Sequence, residues 1–222
     1  MSWKKLINKV NQMDALELLK MIPDKSIDLV LTDPPYGIGA SNKNFIRKGK
    51  QTGKSKCVSG LNYKESDWDK KTPEKKVFNE ILRVSKEQII FGGNYFTDKL
   101  PQSNQWLVWD KNTGNNLYAD CELLWTSLKG AVRKYKYTWK GMVQEDMKNK
   151  DHRWHPTMKP VKLIGRIIDD FSEEGQTILD PFMGSGTTAR AAANLNRNWI
   201  GCELDADYCE IWRERMRQQV LF

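Results

Sequence analysis

Thr177-Ile178-Leu179-Asp180-Pro181-Phe182-Met183-Gly184-Ser185-Gly186-Thr187-Thr188 reads as a short apolar strand running into a glycine turn and then a helix. An alanine-rich stretch follows, and after it Asn198-Trp199-Ile200-Gly201-Cys202-Glu203, a second strand closed by an acid. Strand, glycine turn, helix, strand and acid is the outline of a nucleotide-binding βαβ unit. Outward from this unit, Ile27–Thr32, Gln88–Phe91, Gln105–Trp109 and Cys121–Trp125 have the β-branched and apolar content of buried strands. Helical patterns lie at Asp14–Met21, Val161–Phe171 and about Asp205–Gln218. A further helix is expected to start at Thr72-Pro73-Glu74, a capping hydroxyl followed by proline at the first helical position, with Val77, Ile81 and Val84 on its apolar face. Strands alternating with helices predict an α/β fold, a doubly wound and mostly parallel sheet.

The chain has 222 residues, which fits one domain or one domain with an insertion. Its 36 Lys and Arg exceed its 28 Asp and Glu, giving +8 at neutral pH and suggesting a polyanionic partner. No apolar stretch reaches the roughly 18 residues of a membrane span, and the first residues lack an apolar signal core. The four cysteines, at 57, 121, 202 and 209, form no CxxC pair, which argues against disulfides and a cysteine zinc site. A basic, cytoplasmic protein without membrane attachment is expected.

Charge chooses among ligands for the glycine loop. Gly184-Ser185-Gly186-Thr187-Thr188-Ala189 fits the loose G-x-G-x-x-G/A pattern of dehydrogenases, and Glu203 lies near where an acid would hold ribose hydroxyls. Asp180, however, ends the strand where a dinucleotide's anionic pyrophosphate would have to sit. A carboxylate there suits a cation, such as an ammonium or a sulfonium, and S-adenosylmethionine carries both. The competing reading is a glycine turn that serves packing alone.

Asp33-Pro34-Pro35-Tyr36 stops the Ile27–Thr32 strand abruptly, since proline cannot continue a central ladder. Taken with Asp180–Thr188, this tetrapeptide resembles the two signature motifs of amino-group DNA methyltransferases. The order, catalytic motif first and cofactor loop later, is similar to that of the β class. His155-Pro156-Thr157-Met158-Lys159-Pro160 resembles the class's HPTxKP motif, with Met158 where glutamine is more usual. The resemblance implies a circularly permuted methyltransferase domain of the Rossmann-like type, spanning residues 1–222. It implies S-adenosylmethionine held by Asp14, Asp33, Lys159, Asp180, Phe182, Gly184, Ser185, Gly186, Thr187 and Glu203, with Lys4 to Asp14 walling the adenine. Catalysis would fall to Asp33, Pro34, Pro35 and Tyr36. Double-stranded DNA is the implied substrate, and the class's habit of pairing implies a homodimer.

The chemistry suits those residues. The lone pair of a base's exocyclic amino group is delocalised into the ring, so the nitrogen is a poor nucleophile. Two acceptors on its N–H bonds would return that pair to nitrogen and stabilise the positive charge of methyl transfer. Asp33 offers one acceptor; the backbone carbonyl of Pro34, aimed by proline's fixed φ, offers the other. Tyr36 offers a flat face to a base turned out of the duplex. Adenine's 6-amino group is the expected target, because aspartate in the first position goes with adenine in this family. Cytosine's 4-amino group, RNA, or a nucleic-acid-binding protein with a decayed cofactor site are the alternatives.

Two basic segments complete the reading. Residues 41–60 carry six basic side chains, three glycines and no acid, and are expected to be a mobile loop that meets DNA through Arg47, Lys48 and Lys50. Residues 129–150, with seven basic side chains, occupy the class's target-recognition position. There Arg133, Lys134 and Lys136 would contact phosphates, with Tyr135 or Trp139 nearer the bases. Trp106, Trp109, Trp125 and Trp199 are expected in the core, Trp68 and Trp154 on polar surface. His152 and His155 lack acidic or cysteine partners in sequence, so no metal is expected.

Overall fold

The computed structural model describes residues 2–39, 69–114, 119–140, 143–152, 154 and 157–217. In chain order the strands are β1 (Val10–Gln12), β2 (Ile27–Thr32), β3 (Ser85–Phe91), β4 (Trp106–Asp110), β5 (Cys121–Thr126), β6 (Arg133–Lys136), β7 (Trp139–Lys140), β8 (Val143–Gln144), β9 (Thr177–Asp180) and β10 (Asn198–Glu203). The helices are α1 (Ala15–Lys20), α2 (Lys75–Val84), α3 (Val161–Phe171), α4 (Thr187–Asn194) and α5 (Ala206–Arg217). Among the described residues, eight strands form one sheet in the order β1-β10-β9-β2-β3-β5-β4-β6, and β7 and β8 make a separate small ribbon.

The run from β1 to β3 is parallel throughout, and β5 reverses direction between β3 and β4. β2 and β9 are neighbours at the centre, with Leu29 beside Ile178 and Val30 beside Leu179. The first strand of the chain packs beyond its last, Gln12 opposite Glu203, as a permuted methyltransferase order requires.

Both faces of the sheet are covered, which is why its central strands are near-continuous apolar runs rather than alternating ones. Successive residues feed opposite layers: Leu29, Leu31, Ile89, Phe91 and Ile178 join one core with α3 and α4. Val30, Ile90, Leu179 and Ile200 join the other with α1 and α2. Val77, Phe78, Ile81 and Val84 of α2 are all buried. At roughly 1.5–3 kcal/mol for each large apolar side chain, that face holds the helix against the sheet far better than local propensity would.

One helix boundary departs from expectation. α2 begins at Lys75, with Glu74 as its cap residue and no side-chain capping bond. The Thr72 hydroxyl instead accepts from the Lys99 ammonium, which also reaches the Pro73 carbonyl at 3.0 Å. A tertiary lysine has taken the oxygen that the local pattern assigns to the helix.

Candidate active site

Because β2 and β9 run parallel, side by side, their carboxyl ends bring Asp33 and Asp180 to one crevice, where ligands of open α/β sheets bind. Thr32 links them, its hydroxyl donating to Asp180 Oδ1 at 2.7 Å. The same oxygen accepts from the Phe182 backbone N–H at 3.0 Å. Burial pushes the Asp180 carboxyl up to about 6; bonds from Thr32, Thr188 and Phe182 hold it down in part, and the charge of Asp33 adds to the rise.

The loop after Asp180 is shaped by two left-handed glycines, Gly184 with φ of 51° and Gly186 with φ of 78°. They differ in surroundings. A Cβ on Gly184 would meet nothing within 4 Å, so that side of the loop is open. One on Gly186 would lie 1.6 Å from Cδ1 of Trp212. Arg215, on the same helix as Trp212, donates to the Ser185 carbonyl, and α5 thus supports the loop from behind. Across the opening, Glu203 accepts from Gly184 N–H at 2.9 Å with one oxygen and from Asp205 N–H at 2.9 Å with the other. Its carboxyl is raised by burial, against the pull of these backbone donors.

Asp33 sits in a connected set of charges. Its Oδ1 accepts from the Tyr36 hydroxyl at 2.5 Å and its Oδ2 from the Lys159 ammonium at 2.6 Å. Lys159 Nζ also stands 3.3 Å from Oε2 of Glu122, while Oε1 of Glu122 pairs with Lys111 at 2.8 Å. Burial raises the Asp33 carboxyl and outweighs the opposing pull of Lys159. Burial pushes Glu122 upward too, but Lys159 and Lys111 together overcome it and leave that carboxyl below its usual range. Lys159, though desolvated, is held firmly protonated by the two carboxylates. The Tyr36 ring stacks on Tyr95, with centroids 4.7 Å apart and planes 13° from parallel. Gly92, at φ of 66°, lets the backbone approach that ring: a Cβ there would lie 2.2 Å from Tyr36 Cε1.

The fold therefore gathers Asp33, Pro34, Pro35, Tyr36 and Lys159 with Asp180, Phe182, Gly184, Ser185, Gly186, Thr187 and Glu203 around the ends of β2, β9 and β10. Asp14 follows β1, next to β10, and caps α1 by accepting from Leu16 and Glu17 N–H at 2.8 and 3.3 Å. Tyr36 departs from expectation in one respect: a face meant for a base already rests on Tyr95.

The expected contacts of the second basic segment need correction. β6 is the sheet's far edge, four strands from β2, or about 19 Å at the usual strand spacing. Lys136 lies opposite Asp110 at the crevice end, but Arg133 lies opposite Leu107, about 10 Å farther back by strand rise. Lys134 pairs with Asp110 at 3.5 Å. Tyr135 spends its hydroxyl on Asp170 at 2.5 Å and packs partly against the core. Trp139 is not a surface residue for bases: it is 8% exposed, belongs to the core and donates its indole N–H to the Met158 carbonyl at 3.1 Å. That bond ties down the residue just before Lys159. Trp109, Trp125 and Trp199 are buried as expected, and Trp106 is half-buried. Arg47, Lys48, Lys50, the whole 41–60 loop, Trp68, His155 and Pro156 lie outside the described residues. Among the described residues no cluster of three His, Cys, Asp or Glu could hold a metal ion, and no helix is long and apolar enough to cross a membrane.

Glu122, Lys111, Tyr95 and Gly92 escaped the sequence reading. Glu122 had left one signal, an acid inside the apolar run Cys121–Trp125.

Similarity to known proteins agrees with this geometry. The DNA methylase family matches residues 94–214, more than half of the chain. The Type II methyltransferase M2.MboI of Moraxella bovis is 26% identical, covering 94% of this chain and 87% of its own. M2.DpnII of Streptococcus pneumoniae is 28% identical over 93% and 88%. Among solved structures, the M1.HpyAVI–SAM complex superposes with a TM-score of 0.54 at 21% identity, covering 94% and 98% of the two chains. The PvuII DNA methyltransferase, named as cytosine-N4-specific, gives 0.61 at 16% over 96% and 87%. With its acidic tetrapeptide ahead of its glycine loop, and both at one crevice, this chain belongs to the DNA methylase family, as an amino-group methyltransferase of the β class.

Proposed function

We propose that the protein transfers a methyl group from S-adenosylmethionine to the 6-amino group of an adenine turned out of double-stranded DNA. The observation that carries the reading is the union of Asp33 and Asp180 through Thr32 at adjacent strand ends. An acceptor for the reacting amino group thereby stands beside a loop suited to the methyl donor.

The residues fit that donor. The open side of Gly184 admits close approach, Glu203 at the end of β10 would hold the ribose hydroxyls, and buried Asp180 favours a cation over a phosphate. When bound, the cofactor supplies an electrophilic methyl on a sulfonium. The protein's own part is to ready the nucleophile. Asp33 accepts one N–H of the amino group and the Pro34 carbonyl the other, returning the lone pair to nitrogen. Tyr36 fixes the plane of the Asp33 carboxylate through its hydroxyl, and Lys159 favours its ionised form, opposing the effect of burial. The positive charge that builds on nitrogen faces Asp33 until a proton leaves to water.

The reading extends to a single catalytic domain whose 129–150 segment contributes to target recognition through Lys134 and Lys136, and to a homodimer acting in the cytoplasm without a metal. Its test is transfer of tritiated methyl to duplex DNA and to RNA, followed by nucleoside analysis. Label in N6-methyldeoxyadenosine is expected. Label in N4-methylcytosine, the product suggested by the likeness to the PvuII enzyme, would move the target to cytosine. An absence of label from all nucleic acid would end the methyl-transfer reading.

A further inference from the structure

Asp33 has two carboxylate oxygens, and both are already engaged, Oδ1 by Tyr36 and Oδ2 by Lys159. A substrate N–H must therefore share one of these oxygens or displace a donor. Sharing has a chemical cost: an oxygen bonded to an ammonium is a weaker acceptor, and it returns less of the lone pair to the amino nitrogen. Displacing Tyr36 would mean breaking a 2.5 Å bond from a ring held by the Tyr95 stack and by Gly92. Lys159 has an easier exit.

That exit is Glu122. Its Oε2 is buried and is paired with the Lys159 ammonium at 3.3 Å, a longer and less well aligned contact than the 2.6 Å bond from Lys159 to Asp33. The other oxygen is anchored by Lys111 at 2.8 Å, whose own ammonium stands 5.1 Å over the Trp109 ring. A fixed, buried acceptor thus already shares the cation whose shorter bond goes to Asp33, and a shift of well under 1 Å would make it the stronger partner. Resting on the assignment of Asp33 as the amino-group acceptor, we infer that Glu122 is a positioning residue: it receives the Lys159 ammonium as the substrate amino group arrives, and so frees Asp33 Oδ2. Without a receiving carboxylate, Lys159 stays on Asp33 and the acceptor stays weak. The arrangement also avoids stranding a buried ammonium, because Lys159 always has one carboxylate or the other.

The test is Glu122→Gln in the full chain, which keeps the side chain's shape and removes its charge. Three measurements are compared with the parent: cofactor affinity by calorimetry, the single-turnover rate of methyl transfer to duplex DNA, and the acid limb of kcat/KM. Cofactor affinity should change by less than about twofold, while the rate should fall by about tenfold or more, one displaced hydrogen bond's worth. The groups facing Asp33 are Lys159, Glu122, Tyr36 and, across Thr32, Asp180. Glu122 opposes ionisation of Asp33, so its neutralisation should move the acid limb to lower pH even as the rate falls. A purely structural role predicts a different pattern, with rate and cofactor affinity falling together and the acid limb unmoved; that result overturns the inference. So does a variant that works at the parent rate. Glu122→Asp should recover part of the rate and return the acid limb, and it carries the test if Glu122→Gln does not fold. A parent that methylates no nucleic acid defeats instead the assignment on which the inference rests.

Discussion

Gly186→Ala separates the two jobs of the glycine loop. The new Cβ would sit 1.6 Å from Cδ1 and 2.2 Å from Nε1 of Trp212. Trp212 cannot retreat easily, being 7% exposed and packed on Trp199 at a centroid distance of 5.0 Å. Overpacking of that kind costs about 1–3 kcal/mol. The φ of 78° adds about 1–2 kcal/mol for any residue with a Cβ. The sum, about 2–5 kcal/mol, corresponds to a fall in Tm of about 4–20 °C for a chain of this size. Gly184→Ala is the comparison. It has the φ cost and no steric cost, since nothing lies within 4 Å, and should lower Tm by only about 2–8 °C. Cofactor affinity should rank the other way per degree of Tm lost, because the Gly184 methyl projects into the open side of the loop. Thermal unfolding followed by tryptophan fluorescence, beside calorimetric titration of the cofactor, measures both. If Gly186→Ala melts within about 2 °C of Gly184→Ala, the contact with Trp212 does not constrain the loop and the reasoning fails.

Three other perturbations probe different parts of the site. Asp33→Ala should keep most cofactor affinity but reduce turnover by about two orders of magnitude, the usual loss for a transition-state acceptor; near-parent methylation would refute the mechanism. Asp180 titrates near 6 in the folded chain, and only its ionised form attracts a cation, so cofactor affinity should climb as pH rises from about 5 to 7 and flatten in Asp180→Asn. The same raised value means that the folded state holds a proton the unfolded chain has lost. This contribution to stability is present at low pH and disappears as pH rises through about 6, so Tm of Asp180→Asn relative to the parent should increase across that range. Trp139→Ala should cost about 3–5 kcal/mol as a core deletion and leave the DNA affinity of the folded protein near the parent's; a loss of affinity worth one stacked base, about 1–3 kcal/mol, would restore a nucleic-acid role to this tryptophan.

Most of what positions the site could be read from local sequence, and the failures share a cause. The end of β2 and the turn after β9 are marked by proline and glycine at the carboxyl ends of parallel strands, where such folds bind ligands. Glu122 is different. It lies near the amino end of β5, and it reaches the crevice only because β5 runs antiparallel to its neighbours, opposite Trp109 on β4. Strand direction is a long-range property, so nothing near Cys121 announces it. Trp139 misled for the opposite reason. Its neighbours in sequence are polar and basic, whereas its neighbours in space are core residues and the Met158 carbonyl. Thr72, an apparently sound capping residue, lost its oxygen to Lys99, 27 positions away.

The pairing of β2 with β9 also bears on how the protein comes into existence. Thr32 and Asp180, bonded in the finished site, are separated by 148 positions along the chain. Closing so long a loop is entropically costly and tends to come late and slowly in folding. Neither the tetrapeptide nor the glycine loop can be assembled into a working crevice by its own neighbourhood, so a nascent chain that has made β2 but not β9 has no half-active state to pass through. Recovery of methyl transfer during refolding should consequently lag behind helix formation and coincide with completion of the sheet's central pair.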